Sequence, residues 1–540
     1  MNDLNLDALL DVLIVNARVL DGTGAPPVHG EVGVEGDRIG SVGTRCPLRA
    51  RRTIDAQGMA VCPGFIDLHT HSDLMLLAEP HAPAKAMQGV TTEVIGQDGL
   101  SYAPVTGATL AHFRSTLKAL NGDPEGLAWD WRGVGEYLDR FDGHAAVNVA
   151  MLAPHGNLRA AVLGLDDLPA TAAELAQMQR LLDRAMDEGA FGLSTGLSYA
   201  PCSFADTREL IALGRVVGRR GGYFAPHLRN YGTEMEAAVE EAIEIAAAAG
   251  VPLHLTHFQA SFSTGEGKAE YYLARIRQAR RQGLQITLDA YPYLAGSTFL
   301  AGLLPGWSHA AGTEALLGRL RDPATRARLR HEMEVLGSDG FQRIPARWDT
   351  VVVSGVAGRK NSGLVGKSLD EIAREQGRAA FDCLADLLLE EDLAVSCILF
   401  IGHEENLQEF IRDPEFMAGS DGLLIGARPH PRAWGTFARY LGRYVRELGV
   451  LSLEECVRKM TSAPARLLGL HDRGTLAVGK MADLVVFDPA TVRDTATYED
   501  PKRHPEGMPY VMVNGVLVKD EDRPTGALPG RALRKSAATA

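Results

Sequence analysis

Between about residues 63 and 470 the sequence alternates short apolar runs with longer stretches of helical spacing, and this alternation constrains the fold more than any other feature. Short strands separated by helices are the pattern of βα units around a parallel sheet. The runs that read as strands are 65–71, 92–98, 147–154, 191–194, 223–228, 253–258, 285–291, 398–402 and 417–421. Nine is one more than an eight-stranded barrel takes, and the runs beginning at 285 and 398 are the ones open to demotion. Stretches 172–188, 233–249 and 452–460 carry helical apolar spacing, and the first two end at Gly189 and Gly250, where a glycine stop belongs. Arg-rich helical sequence from about 295 to 355 breaks the rhythm and is expected to be a small inserted domain.

The two ends are different in kind. Runs such as Val12-Leu13-Ile14-Val15 and Ile39-Gly40-Ser41-Val42 lie between Gly/Pro/Asp turns, and near the other terminus 481–488 and 510–518 read as strands, the latter with an Asn-Gly turn at its middle. Residues 1–62 with 475–540 are therefore expected to form one β-sandwich and residues 63–474 the barrel. The last stretch, roughly 520–540, is polar and expected to be loosely held.

Charge and cysteine usage exclude several roles. A net charge of -13 argues against nucleic acid or an anionic membrane as the main partner. The six cysteines form no CxxC pair, so neither a disulfide framework nor a cysteine-based zinc site is expected. Residues 1–7 lack the features of an export signal, and no run of about 18 apolar residues could span a membrane. The expectation is a cytoplasmic protein acting on a small molecule, with a homo-oligomer left open.

In a parallel barrel the reactive groups gather at the C-terminal ends of the strands. The first run ends in His69 and His71, which share one face of a strand because successive side chains alternate. Alone, a His-x-His is more often a chance pair than a metal site. The second, fifth, sixth and last runs finish with Asp98, His227, His257 and Asp421. Six nitrogen and oxygen donors finishing five strands suit one or two divalent ions with a position left for water. His254 faces the other side of its strand and is expected to be a core histidine, while His155, His403 and His430 are weaker ligand candidates.

Four segments carry a resemblance: 63–71 (PGFIDLHTH), 192–197 (GLSTGL), 289–297 (DAYPYLAGS) and 419–437, which runs from Gly419-Ser420-Asp421-Gly422 to Arg428-Pro429-His430-Pro431-Arg432 and beyond. In order and spacing they resemble the amidohydrolase superfamily, and within it the N-acyl-D-amino-acid deacylases, or D-aminoacylases. The resemblance implies a distorted (β/α)8 TIM-type barrel, a β-sandwich from both termini and an inserted small domain. It also implies zinc, one or two ions, held by His69, His71, Asp98, His227, His257 and Asp421, with Asp421 as the catalytic base. Substrate binding falls on Tyr291, Ser297 and Arg432. Two positions depart from the family pattern: Asp98 stands where a cysteine is usual, and Gln259 where a lysine helps to hold the substrate's carboxylate. A carboxylated lysine is not expected, since the only lysine between the second and fifth strand runs is Lys118, in a helical stretch.

The implied reaction is zinc-dependent hydrolysis of a C–N amide bond, deacylating an N-acyl-D-amino acid to a carboxylate and a D-amino acid. Gln259 and Asp98 favour an alternative within the superfamily, a hydrolase of a cyclic amide, imide or other non-amino-acid amide. A non-catalytic metal-binding barrel is the remote alternative, because a structural barrel requires no base among its strand-end donors.

Overall fold

The computed structural model describes residues 9–535. The start of the chain, read above for an export signal, and residues 536–540 lie outside the described residues. Among the described residues no helix is long and apolar enough to cross a membrane.

Eight parallel strands form the barrel: Phe65–Asp67, Val90–Ile95, Asn148–Met151 with its continuation Ala153–Pro154, Gly192–Gly196, Tyr223–His227, Leu253–Leu255, Ile286–Ala290 and Phe416–Ala418. Each pairs in parallel with the next. The ring closes without a regular ladder between last and first strands. Just beyond their ends, the amides of Ser420 and Asp421 donate to the His69 carbonyl, and Thr70 bridges Gly422. Inside the barrel, Ile66, Leu68, Val94, Ala150, Leu152, Phe191, Tyr223, Ala225 and Met417 pack together. Strands buried on both faces read as unbroken apolar runs, which is why the sequence alternation located them.

Of the two doubtful runs, 285–291 is a barrel strand and the run at 398 is not. Val395–Phe400 lies antiparallel between Ala295–Phe299 and Val351–Val356 in a separate three-stranded sheet. The inserted unit thus draws on sequence well past residue 355. A lone apolar run carries no information on whether its partner will be parallel or antiparallel, which is why the sequence left this run and the one at 285 both open to demotion.

The termini combine as expected in position, but as one continuous nine-stranded sheet wrapped round its own core of Val12, Ile14, Val32, Val34, Ile54, Leu484 and Val486. The N- and C-terminal parts join where Ala60–Pro63 pairs antiparallel with Leu484–Phe487. The Asn-Gly turn is present, with Asn514 at φ 48° and Gly515 at φ 81°, the two left-handed positions that a type I′ hairpin requires.

Up to residue 535 the expectation of a loose tail fails. Gly530, Arg531 and Leu533 exchange backbone hydrogen bonds with 143–149, and the Lys535 amide donates to the Gly189 carbonyl. Leu533 joins the barrel's interior cluster, and Arg531 and Arg534 pair with Asp37 and Asp139. Polar composition misled here because one leucine and a run of backbone groups suffice to dock an extended segment.

Candidate active site

The strand ends gather the six donors at one mouth. His69 Nε2 lies 3.6 Å from Asp98 Oδ1 and 3.6 Å from Asp421 Oδ1. His71 Nε2 is 3.4 Å from Asp98 Oδ2 and 3.2 Å from Asp421 Oδ1. On the other side of Asp98, His227 Nδ1 is 3.6 Å from Oδ2 and His257 Nε2 is 3.6 Å from Oδ1. Two overlapping donor groups result, His69/His71/Asp98/Asp421 and Asp98/His227/His257, with Asp98 in both.

These donors fit a shared divalent ion better than they fit one another. Most of the spacings are long for hydrogen bonds. They match the roughly 3.4 Å that separates two ligands each about 2.0–2.1 Å from a tetrahedral zinc. All six residues are buried, yet both ring nitrogens of His69 and Oδ1 of Asp98 have no hydrogen-bond partner among the described residues. Buried polar atoms are rarely left so. Three of the six also sit in left-handed backbone, Asp98 at φ 52°, His257 at φ 31° and Asp421 at φ 48°. For residues other than glycine this is strained geometry of the kind that collects at functional sites, here bending each strand end so that its side chain turns into the mouth.

A surrounding layer holds the donors in place. Asp289, at the end of its strand, accepts from the His257 amide at 2.7 Å and from His254 Nε2 at 2.8 Å, and its carboxylate is 3.6 Å from His69 Nδ1. Burial works to raise the Asp289 pKa, but His69 and His254 outweigh it and hold the carboxyl well below its usual range. His254 completes its bonding with Thr287. The Tyr231 hydroxyl lies 3.1 Å from His257 Nδ1, and Ser198 Oγ is 2.7 Å from His227 Nε2. Hydrogen bonds to the far nitrogen fix which nitrogen faces the centre. Gly419 is required beside them: a Cβ there would come within 2.9 Å of His69 Cβ and 3.0 Å of Asp289.

Beneath the donors lies a buried polar knot across the barrel seam. Lys85, fully buried, donates to Asp67 Oδ2 (2.6 Å), Thr70 Oγ1 (2.8 Å) and Ser420 Oγ (2.6 Å). Asp67 Oδ1 in turn accepts from the Ser420 amide at 2.8 Å. Two residues after Asp67 comes His69, and one after Ser420 comes Asp421, so the knot ties together the two strand ends that carry these groups.

Five of the six donors, all but the fully buried His69, line a cleft of about 1100 Å³, counting its open mouth. Tyr291, Ser297, Gln259 and Arg432 all line it. The Arg432 guanidinium is buried, stacks 4.4 Å over the Tyr291 ring, donates to the Ser297 carbonyl at 3.1 Å and lies 3.0 Å from Asp421 Oδ2. Burial alone would raise the Asp421 pKa, but Arg432 and His69 keep it well below the ordinary carboxylate range. Gln259 makes only two long amide contacts, 3.4 Å each, to the carbonyls of Tyr291 and Tyr293. The weaker histidine candidates point elsewhere: His155 bonds Thr195 and Glu209, His403 the Phe262 carbonyl, and His430 the Ala295 carbonyl.

Sequence reasoning missed Asp289, Ser198, Tyr231 and Phe341. Asp289 had a usable signal, since it lies near the end of a strand run as the donors do; Tyr231 and the cleft residue Phe341 lie on loops with no local signature.

An eight-stranded barrel whose strand ends converge four histidines and two aspartates is an architecture on which metal-assisted hydrolysis is built. The chain belongs to the amidohydrolase family, which it matches over residues 52–519. It is 36% identical over 529 residues to the D-aminoacylase of Alcaligenes xylosoxydans xylosoxydans, covering 98% of each chain. To the N-acyl-D-glutamate deacylase of the same organism it is 37% identical over 532 residues, again 98% of each. The crystal structure of N-acyl-D-glutamate deacylase from Bordetella bronchiseptica, complexed with zinc and a phosphonate mimic of the tetrahedral intermediate, superposes with a TM-score of 0.84 at 35% identity, covering 98% of this chain and 100% of that one.

Proposed function

We propose that the protein is a zinc-dependent N-acyl-D-amino-acid deacylase. The observation that carries the reading is the convergence of His69, His71, Asp98, His227, His257 and Asp421 at ion-sharing spacings, next to a buried arginine, in a chain alike along its whole length to D-amino-acid deacylases. His69, His71, Asp98, His227, His257 and Asp421 would hold the zinc, with Asp98 common to both donor groups. A bound divalent ion supplies the Lewis acidity that polarises an amide carbonyl and makes water acidic enough to lose a proton near neutral pH.

Asp421 accepts the proton of the attacking water as its oxygen bonds to the acyl carbon. It then delivers that proton to the nitrogen as the C–N bond breaks, so the amine leaves neutral and the acyl group leaves as the carboxylic acid, which gives its remaining proton to solvent and becomes the carboxylate at neutral pH. Arg432, stacked on Tyr291 and close to Ser297, holds the substrate's α-carboxylate and sets the amide over the donor floor. Gln259 offers a neutral amide at the same wall, so Arg432 carries the electrostatic part of that recognition.

Purified protein loaded with zinc is expected to release free D-amino acid from N-acetyl-D-amino acids, to lose this activity on dialysis against a chelator and to regain it with Zn2+. Zinc-loaded protein that leaves such substrates intact but opens cyclic imides would refute the reading in favour of the cyclic-amide alternative. Asp98→Ala is expected to lower bound zinc by at least about half, because Asp98 serves both donor groups. Unchanged stoichiometry by elemental analysis would remove Asp98 from the ligand set.

A further inference from the structure

We propose that the cleft selects N-acyl-D-amino acids with a neutral, chiefly apolar side chain and rejects those of D-glutamate and D-aspartate. The inference rests on the deacylase reading and adds to it the side chain of the amine part, on which relatives of nearly equal identity divide.

Charge counting carries the argument. Every N-acyl-amino acid brings one α-carboxylate, and an acidic side chain brings a second. Among the described lining residues Arg432 is the only lysine or arginine, and it already lies 3.0 Å from Asp421. The other charged lining residues are the carboxylates Asp98 and Asp421. Both belong to the groups that would hold the zinc, so they do not decide the count; what decides it is that, with Arg432 taken by the α-carboxylate, a second substrate carboxylate would meet no further lysine or arginine on the lining.

Apolar side chains supply much of the remaining wall, beside neutral polar ones such as Asn121, Ser198, Thr298 and Gln342. The helix Gly107–Asn121 contributes Leu117 and Leu120, the small inserted sheet contributes Phe299 and Leu399, and the loops add Phe341 and Leu423. A side pocket reached past Tyr199 and Phe299 is no more basic. It is lined by His112 and His309, and burial pushes both imidazoles down to about 4, so they are neutral at pH 7. An alkyl or thioether side chain buries its surface against the apolar part of these walls, whereas a carboxylate loses its hydration there and finds only neutral donors in place of a cation.

The test compares kcat/KM of the zinc-loaded protein on N-acetyl-D-leucine, N-acetyl-D-methionine, N-acetyl-D-glutamine and N-acetyl-D-glutamate at pH 7. The last two are nearly isosteric and differ in charge. The leucine and methionine compounds are expected to exceed glutamate by at least about 100-fold, and glutamine to exceed glutamate by at least about tenfold. Glutamate turned over as well as glutamine, or better than leucine, would overturn the selectivity while leaving the deacylase reading intact. No hydrolysis of any of the four would overturn the deacylase reading and the selectivity with it.

Discussion

Asp421→Asn is expected to lower kcat/KM by at least about 10³-fold while zinc content stays within error of the unaltered protein. General acid–base groups contribute roughly 10²- to 10⁴-fold, and Asp421 is asked to act twice, taking a proton from water and giving it to the leaving nitrogen. Asparagine keeps the shape and can still face Arg432, but it cannot carry that proton. The other donors, His69, His71, Asp98, His227 and His257, remain in place to hold the ion. Elemental analysis and steady-state kinetics on one preparation separate the two effects. Near-normal turnover would remove Asp421 as the base, and loss of zinc alongside activity would make it chiefly a ligand.

The second large effect is expected far from substrate contact, at Lys85→Met. Methionine fits the stem of the lysine but removes the charge that meets Asp67 at 2.6 Å, in a place where neither side chain is exposed. Breaking a buried pair by deleting one partner costs about 3–5 kcal/mol, because the other charge stays buried without compensation. The seam makes matters worse, since the last and first barrel strands lack the ladder that joins every other neighbouring pair. An apparent loss of about that size should be read as a lowered urea midpoint. Activity should fall too, as the ends carrying His69 and Asp421 lose their tie. A midpoint equivalent to less than about 1 kcal/mol of destabilisation would mean that the knot contributes little to closing the barrel.

Much of the site was legible because barrel chemistry is written at strand ends. Once 65–71, 92–98, 223–228, 253–258 and 417–421 were read as strands, their terminal residues named the six donors without any knowledge of distances. Gln259 and Asp98 were legible as departures from a pattern, and both line the cleft. Asp289 was open to the same logic, since it lies one residue before the end of its strand, as His227 and His257 lie one residue before the ends of their runs.

What was not legible involved partners distant in the chain. The run at 395–400 is as apolar as a barrel strand, and only its antiparallel neighbours at 295–299 and 351–356 assign it to the inserted sheet. The tail to residue 535 looked unattached because its anchors are backbone groups near 145, 149 and 189, which have no side-chain signature. Tyr231 reaches His257 from a loop, and the nearby Gln342 accepts from the Tyr231 amide at 2.8 Å, joining the inserted unit to the donor floor.

The sequence by itself determined the barrel, pointed to β strands at both ends and singled out the candidate donors. These follow from local periodicity and from the rule that strand ends face one mouth, both properties of short stretches. Only the tertiary structure decided that Asp98 lies between two donor groups, that Lys85 stitches the seam and that Arg432 is the one arginine or lysine among the described lining residues of the cleft. Each of these is a count of charges and donors within a few ångströms, contributed by residues hundreds of positions apart, and such a count exists only once the chain has closed on itself.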